Sequence, residues 1–352
     1  MSYNRFNQPR AYVDLISYDL ATGWRTLSNI TLEQDDGSAV TFVSGSDEKA
    51  KIFDARPTNY GFIEKENQSF FIQYDTGNTS NELAESNFVA IMNHNLAAAD
   101  AVFTIQIDDD ANMSSPTSIS TTGNHTKVFN ADANDTAGEI DPAKDGWTLI
   151  TWPTKETDNR FIRLTFSDEN GTGQNFAQDV VLGNIMLGEY FDFPSMDLSL
   201  GTDIEYDGTT IQRSLGGNMY ANTTHLGNPV WQSTLPWHIA TGMDQDTKVF
   251  KQRFGRMRHS LSFSHIVDTD IWPEDMASGV GSDNSKFYDT TNLHNSFYQK
   301  ILGQRNPFLF SINKDSTDTG DYGLFRVDSD TFSSSHTIHK VWSTKMDLIE
   351  HW

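Results

Sequence analysis

Apolar and polar positions alternate in short runs along most of this chain, and those runs set its expected elements. In Arg160–Phe166, Ile162, Leu164 and Phe166 share one side, while Arg163 and Thr165 share the other with Phe161. That two-residue period marks a strand with one face buried and the other mostly wet. Leu261 and Phe263 alternate with Ser260, Ser262 and Ser264 to the same effect inside Arg258–His265. Further runs rich in aromatic or β-branched residues lie at Phe70–Tyr74, Asn87–Met92, Ala101–Ile107, Thr148–Trp152 and Val180–Leu187. The second half adds Asp203–Tyr206, Thr209–Gln212, Phe308–Ile312, Gly323–Val327 and Val341–Ile349, with turn chemistry at Gly216-Gly217-Asn218. Clusters of Gly, Asn, Asp and Ser separate the runs, which predicts an all-β, mainly antiparallel chain. A longer period occurs over Asn292–Leu302, where Leu293, Phe297, Ile301 and Leu302 form one helical stripe, with a cap at Asp289–Thr291 and a stop at Gly303. The expected fold is a β-sandwich followed by a second β-rich domain with one or a few short helices.

Punctuation along the chain divides it into three parts. Pro194, in Tyr190–Ser195, ends a strand and polar residues follow, which makes this stretch the expected junction. The parts are then an N-terminal β segment or arm (1–54), the sandwich (55–192) and the second domain (193–352). Asp108–Ala143 is too polar for core and is expected on the surface, interrupted by a short strand at Thr126–Phe129.

Composition narrows the function classes. With 25 Lys plus Arg against 48 Asp plus Glu, the 352-residue chain carries a formal charge of −23. A polyanion is repelled by most of such a surface, so no direct, sequence-specific nucleic-acid binding is expected. There is no cysteine, which removes disulfides, thiolate catalysis and cysteine metal sites together. Stability must come from packed cores or neighbouring subunits, for which 23 Phe, 11 Tyr and 8 Trp supply material. The first ten residues lack the apolar core of a secretory signal, and no membrane span is expected because no run approaches about 18 apolar residues.

Catalytic signatures are scarce. The chain contains no Gly-x-Ser-x-Gly elbow, no His-Glu-x-x-His, no phosphate-binding Gly-x-x-x-x-Gly-Lys and no Gly-x-Gly-x-x-Gly after a strand. His336 and His339 are three apart on a strand and point to opposite sides, so they make a poor metal pair. Asp108-Asp109-Asp110 reads as a solvated acidic turn. Asp203-x-Glu205-x-Asp207-Gly208 opens like a calcium loop, but its twelfth position is Ser214 rather than the required Glu, so it reads as a hairpin. Trp147, Trp152, Trp231, Trp237 and Trp272 offer either a sugar-stacking platform or core and subunit packing, and packing is the better use. No catalytic residue, metal site or cofactor is expected.

Asn87–Leu96, followed by Ala101–Ile107, Arg160–Phe166 and Val181–Gly188, resembles the galactose-binding-like jelly roll in the version built into bacteriophage tail proteins. The Asn93-His94-Asn95 turn is similar to one recurrent in that group and is read as a turn held by side-chain hydrogen bonds, without chemistry. Leu187–Pro194, Gln212–Gly217, Gln304–Phe310 and the last strand into Glu350 are similar to the second half of distal-tail or baseplate proteins. The resemblance implies a jelly-roll sandwich in a non-enzymatic virion component, made in the bacterial cytoplasm and linking tail tube to tail tip. It implies a homo-oligomer, with a hexameric ring as first expectation, and the tube, hub and fibre proteins as partners. The alternative reading is a carbohydrate-binding or carbohydrate-cleaving host-recognition protein. A third places the chain at the neck or as capsid decoration.

Overall fold

The computed structural model describes residues 8–67, 69–77, 86–119, 126–127, 139–143, 146–156, 159–168, 175–197, 200–205, 209–223, 256–272, 292–316 and 321–351. The first half holds β1 (Arg10–Asp14), β2 (Ile30–Gln34), β3 (Gly61–Ile63), β4 (Phe70–Asp75), β5 (Ser86–His94), β6 (Ala101–Asp108), β7 (Thr117–Ser118), β8 (Thr126–Lys127), β9 (Trp147–Glu156), β10 (Phe161–Asp168) and β11 (Val180–Asp192). The second half holds β12 (Gly201–Glu205), β13 (Thr209–Arg213), β14 (Met219–Thr223), β15 (Arg256–Val267), β16 (Phe308–Ser311), β17 (Tyr322–Val327), β18 (Ser334–Ile338) and β19 (Val341–Glu350). The predicted strands therefore form. Those that the alternation left unmarked, such as β1 and β3, are short and buried on both faces or nearly so.

Strands β2, β4, β10, β6 and β7 make a five-stranded sheet. A twelve-stranded sheet runs β12-β15-β19-β17-β16-β1-β11-β5-β9-β8, with β3 beside β11 and β18 beside β19. The pairings are antiparallel. From β2 to β6, and again from β9 to β11, successive strands alternate between the two sheets, which is the winding of a jelly roll. Ile72, Phe103, Ile105, Leu164 and Phe166 of the small sheet meet Val89, Ile91, Ile150, Leu182 and Ile185 of the large one in a dry core. The protein is all-β, with this sandwich followed by a second β-rich region.

The N-terminal segment is woven into both sheets. Strand β1 lies between β11 and β16, with Ala11 opposite Phe191 on one side and Phe310 on the other, and β2 pairs with β4. Asp14 then turns the chain into α1 (Leu15–Thr22). Its carboxylate caps the helix by accepting from the Ile16 and Ser17 amides, each at 3.2 Å, and also accepts from Leu187 N at 3.2 Å. Residues 190–195, the expected junction, hold the end of β11, where Phe191 and Phe193 are buried. Phe193 is 0% exposed, and its ring contacts Phe191, Phe263, Phe297 and Phe310.

A second core covers the same face of the large sheet farther along. Leu293, Phe297 and Ile301 of the predicted helical stripe pack there on Phe263, Phe308, Phe310 and Phe325. The helix is shorter than expected and π-wound over His294–Gln299. Asn292 caps it by accepting from Asn295 N at 2.8 Å, and positive φ at Leu302 (+55°) and Gly303 (+67°) ends it. The expected cap at Asp289–Thr291 lies outside the described residues. Asp203–Glu205 is not the arm of a local hairpin, because β12 pairs with β15; the hairpin is β13–β14, closed by Ser214 and Gly217.

The reverse face of the large sheet curls onto itself. Strands β17 and β9 stand five steps apart, about 24 Å if the sheet were flat. Yet the rings of Tyr322 and Trp147 are 5.8 Å apart, and Tyr12 of β1 contacts Phe88, Tyr190 and Tyr322 between them. Trp147 and Trp152 are buried (0% and 2% exposed), which removes both from any sugar-stacking platform.

Two buried ionisable features follow from this packing. Leu187, Glu189 and Phe191 alternate along one face of β11, so Glu189 lies between the two cores, where it pairs with Lys300; the two side chains are 3% and 1% exposed. Removing one partner strands the other charge, so Lys300→Met should lower the unfolding free energy by about 3–5 kcal/mol. Lys300→Met with Glu189→Leu should recover most of that loss in urea denaturation. Glu350, at the end of β19, is pushed by burial from 4.5 to about 8, against lowering by the Met257 amide and Arg256. The folded chain thus keeps a proton that the unfolded chain releases, and stability falls as pH rises between about 4.5 and 8. Asp14 and Asp19 titrate near 6, and His259 and His351 near 4, so the loss above pH 6.5 is mainly that of Glu350. Glu350→Gln should flatten it, as read from urea midpoints at about pH 6.5 and 8.5; an unchanged slope would refute the assignment.

Candidate functional site

Asn93, His94 and Asn95 close β5 and are buried, at 0%, 0% and 5% exposure. Asn93 adopts φ +55° and donates from Nδ2 to the Pro57 carbonyl at 2.5 Å. Asn95 donates to the Asp179 carbonyl at 2.8 Å and accepts from Val181 N at 2.7 Å. His94 Nε2 lies 3.0 Å from the Thr148 hydroxyl, which accepts from Ala143 N. Together the three side chains brace three loops against one end of the sandwich, and no substrate can reach the imidazole.

The acidic motifs are spent locally. Asp108 accepts from the Asp110 and Ser115 amides, and Asp110 from the Asn112 amide, which builds a capped surface turn. His336 is exposed on β18 and packs its ring 5.0 Å from Trp342. Trp272 is half-buried against the second core, whereas Trp231 and Trp237, with Asp207 and Gly208, lie outside the described residues. Among the described residues no group of three His, Asp or Glu side chains is placed to hold a metal ion.

Of two concavities among the described residues, the one with more hydrogen-bonding groups lies on the outer face of β15, β19 and β18. Ser262 stands opposite Lys345, and Ser343 opposite Ser335, so these four share one face while Leu261 and Met346 point into the second core. Asp197 crosses over the strand, donating its amide to Ser262 O at 2.8 Å and accepting from the Ser264 amide and hydroxyl. The Ser335 and Ser343 hydroxyls are 2.8 Å apart. The result is a groove of about 470 Å³ with hydroxyls, one carboxylate and one exposed ammonium along its walls. A second cleft of about 320 Å³, between Leu32, Val40, Phe42 and Lys49, carries fewer such groups. Alternation identified Ser260, Ser262 and Ser264 as the wet side of a strand. The further signal was the serine run Ser333–Ser335 and Ser343, which only pairing through β19 brings alongside.

No known family model matches the sequence, and no curated protein matches it. Among solved structures, the chain is similar to chitosan-binding module 1 of a chitosanase/glucanase from Paenibacillus sp. IK-5, at 18% identity over 46% of this chain and 93% of that one, with a TM-score of 0.27. It is also similar to the CpGH89CBM32-4 module of Clostridium perfringens in complex with GlcNAc-α-1,4-galactose, at 11% identity over 53% and 97% of the two chains, with a TM-score of 0.27. A third is a pectin-binding carbohydrate-binding module, at 13% identity over 46% and 88%, with a TM-score of 0.24. These superpositions span about half of this chain, and its sheet topology alone defines the fold described above.

Proposed function

We propose that this chain is a non-catalytic protein that binds a hydroxyl-rich glycan through the groove on β15, β19 and β18. The observation that carries this reading is the convergence of Ser262, Ser264, Ser335, Ser343, Asp197 and Lys345 on one rigid sheet face. Each serine both donates and accepts and loses little side-chain freedom on binding, which suits a ligand that presents alternating hydroxyls. A net gain of about 1 kcal/mol per hydrogen bond places a ligand with about four to six such bonds in the range from about 1 mM to tens of micromolar. The platform in this reading is the hydroxyl face and not Trp147 or Trp152, which are buried.

A second reading, that of an assembly subunit, has its own observation. The hairpin β13–β14 stands as a separate two-stranded sheet and exposes Ile211 (59%), Leu215 (111%), Met219 (60%) and Tyr220 (61%). An isolated hairpin is marginal in water, so a neighbouring copy of the chain is the natural cover for it. The tail-ring role and virion location implied by the resemblance belong with this reading, and a host-glycan role is compatible with it.

Glycan-array screening followed by calorimetric titration tests the first reading. Ser262→Ala with Ser343→Ala and Lys345→Met should weaken the best glycan about tenfold or more without loss of fold, and unchanged affinity would sink it. Light scattering at rising salt tests the second. Screening of the −23 charge should favour association, and Ile211→Asp with Met219→Asp should abolish it. A strict monomer at every salt level and concentration would remove the assembly role.

A further inference from the structure

The border between the two cores holds a nucleophile and an acyl group in contact. Glu189 stands on β11 opposite Val13 of β1, and its carboxylate meets the ammonium of Lys300, the residue that follows the π-wound turn. Phe191 shares the face of Glu189, while Phe297 and Ile301 neighbour Lys300 on the turn; these three and Val13 all belong to the second core. Both side chains of the pair are buried. By contrast, the Lys51–Glu48 and Lys314–Asp315 pairs each keep an exposed partner.

Two ions are costly in an apolar core, and passing one proton from ammonium to carboxylate turns them into a neutral amine and a carboxylic acid. The amine lone pair then faces the acid carbon. The fold holds the two together, and well-oriented reactants of one molecule react as if at about 10⁵–10⁸ M. Exclusion of water from the site also removes the reactant that the reverse hydrolysis needs.

We propose that Glu189 and Lys300 condense slowly in the folded chain to form an isopeptide bond. Lys300 Nζ bonds to Glu189 Cδ, one carboxyl oxygen stays as the amide carbonyl, and the hydroxyl leaves as water with a proton from the nitrogen. No oxidant, reductant or co-reactant is consumed. The amide is neutral, so it relieves the two buried charges, and it ties β11 to the second core in a chain that has no cysteine for a disulfide. Such a link closes the chain between positions 189 and 300 into a loop and restricts the unfolded state. The ion pair is the state before the bond closes, and the urea comparison of its variants belongs to freshly made protein.

Intact-mass spectrometry and tryptic mapping of the full chain through a long, warm incubation test it. The parent should lose the mass of one water, and trypsin should stop cutting after Lys300 as a linked pair of peptides, one with Glu189 and one with Lys300, accumulates. Cutting after Lys51 and Lys314 should continue, because those pairs stand in solvent. Lys300→Arg keeps the positive charge but offers no free amine, and it should show neither change. Parent incubated in urea should show neither as well, which keeps the test open even where the variant folds poorly. A folded parent that keeps its full mass, or a lost water that maps to an aspartyl succinimide instead of the linked pair, would overturn the bond. Equal linkage in urea would overturn the part assigned to the fold.

Discussion

Five residues at the start of the chain join its two halves. Strand β1 fills a place between β11, the last strand of the sandwich, and β16 of the second region, so each of its backbone edges is bonded to a different half. Without it, β11 and β16 would each present an open row of amides and carbonyls next to buried apolar side chains. Its side chains serve both faces: Ala11 and Val13 belong to the second core, and Tyr12 to the curled reverse face. Arg10 adds a two-pronged bond to Asp192 at 2.5 and 2.9 Å. Asp14 ends the strand, caps α1 and binds β11 in one step. The curl of the large sheet depends on this insertion, since Tyr12 is the ring on which Phe88, Tyr190 and Tyr322 converge.

Sequence patterning revealed most strands because their burial is one-sided. β10 reads B-B-i-B-i-B-i-B in buried and intermediate positions, and β19 alternates in the same way, so period two is visible directly. β5 is buried at every position and is legible only as a continuous apolar run; β1 is a run of three, too short to separate from noise. Pro194 marked the end of β11 correctly, but a proline reports local backbone restriction and says nothing of burial. Phe191 and Phe193 on either side of Asp192 were the better signal, since aromatic rings at that spacing on a connector need a core to occupy. The serine groove was half legible, because alternation shows which side of a strand is wet but not which distant strand lies beside it.

Charge is distributed with a clear division of labour. Among the described residues, acidic side chains such as Asp35, Asp36, Glu66 and Asp109 are exposed, where solvent screens them. Among the described residues, several buried ionisable groups are paired or neutral. Glu189 meets Lys300 at the border of the two cores, Asp19 accepts from the buried Tyr74 hydroxyl, and Glu350 keeps its proton. The Glu189–Lys300 pair needs both strands and the π-wound turn in place before either charge is satisfied, which favours one arrangement of the second core over slipped alternatives.

Catalysis by general acid and base needs two titratable groups with separated pKa values facing a common space. Among the described residues, several of the shifted groups are held in structural contacts. Asp14 caps a helix, His259 lies between the Phe310 and Phe325 rings, and Glu350 accepts from the Met257 amide. What the sheet presents outward is of another kind: hydroxyls fixed at strand spacing on one face. They are held on the sheet before any ligand arrives, so the entropy of ordering is lost in folding rather than at binding. Preorganised polar surfaces over a closed apolar interior suit recognition, and the molecule places this one on β15 and β19, which pair from Arg258 to Val267 with one irregularity between Phe263 and Ile266.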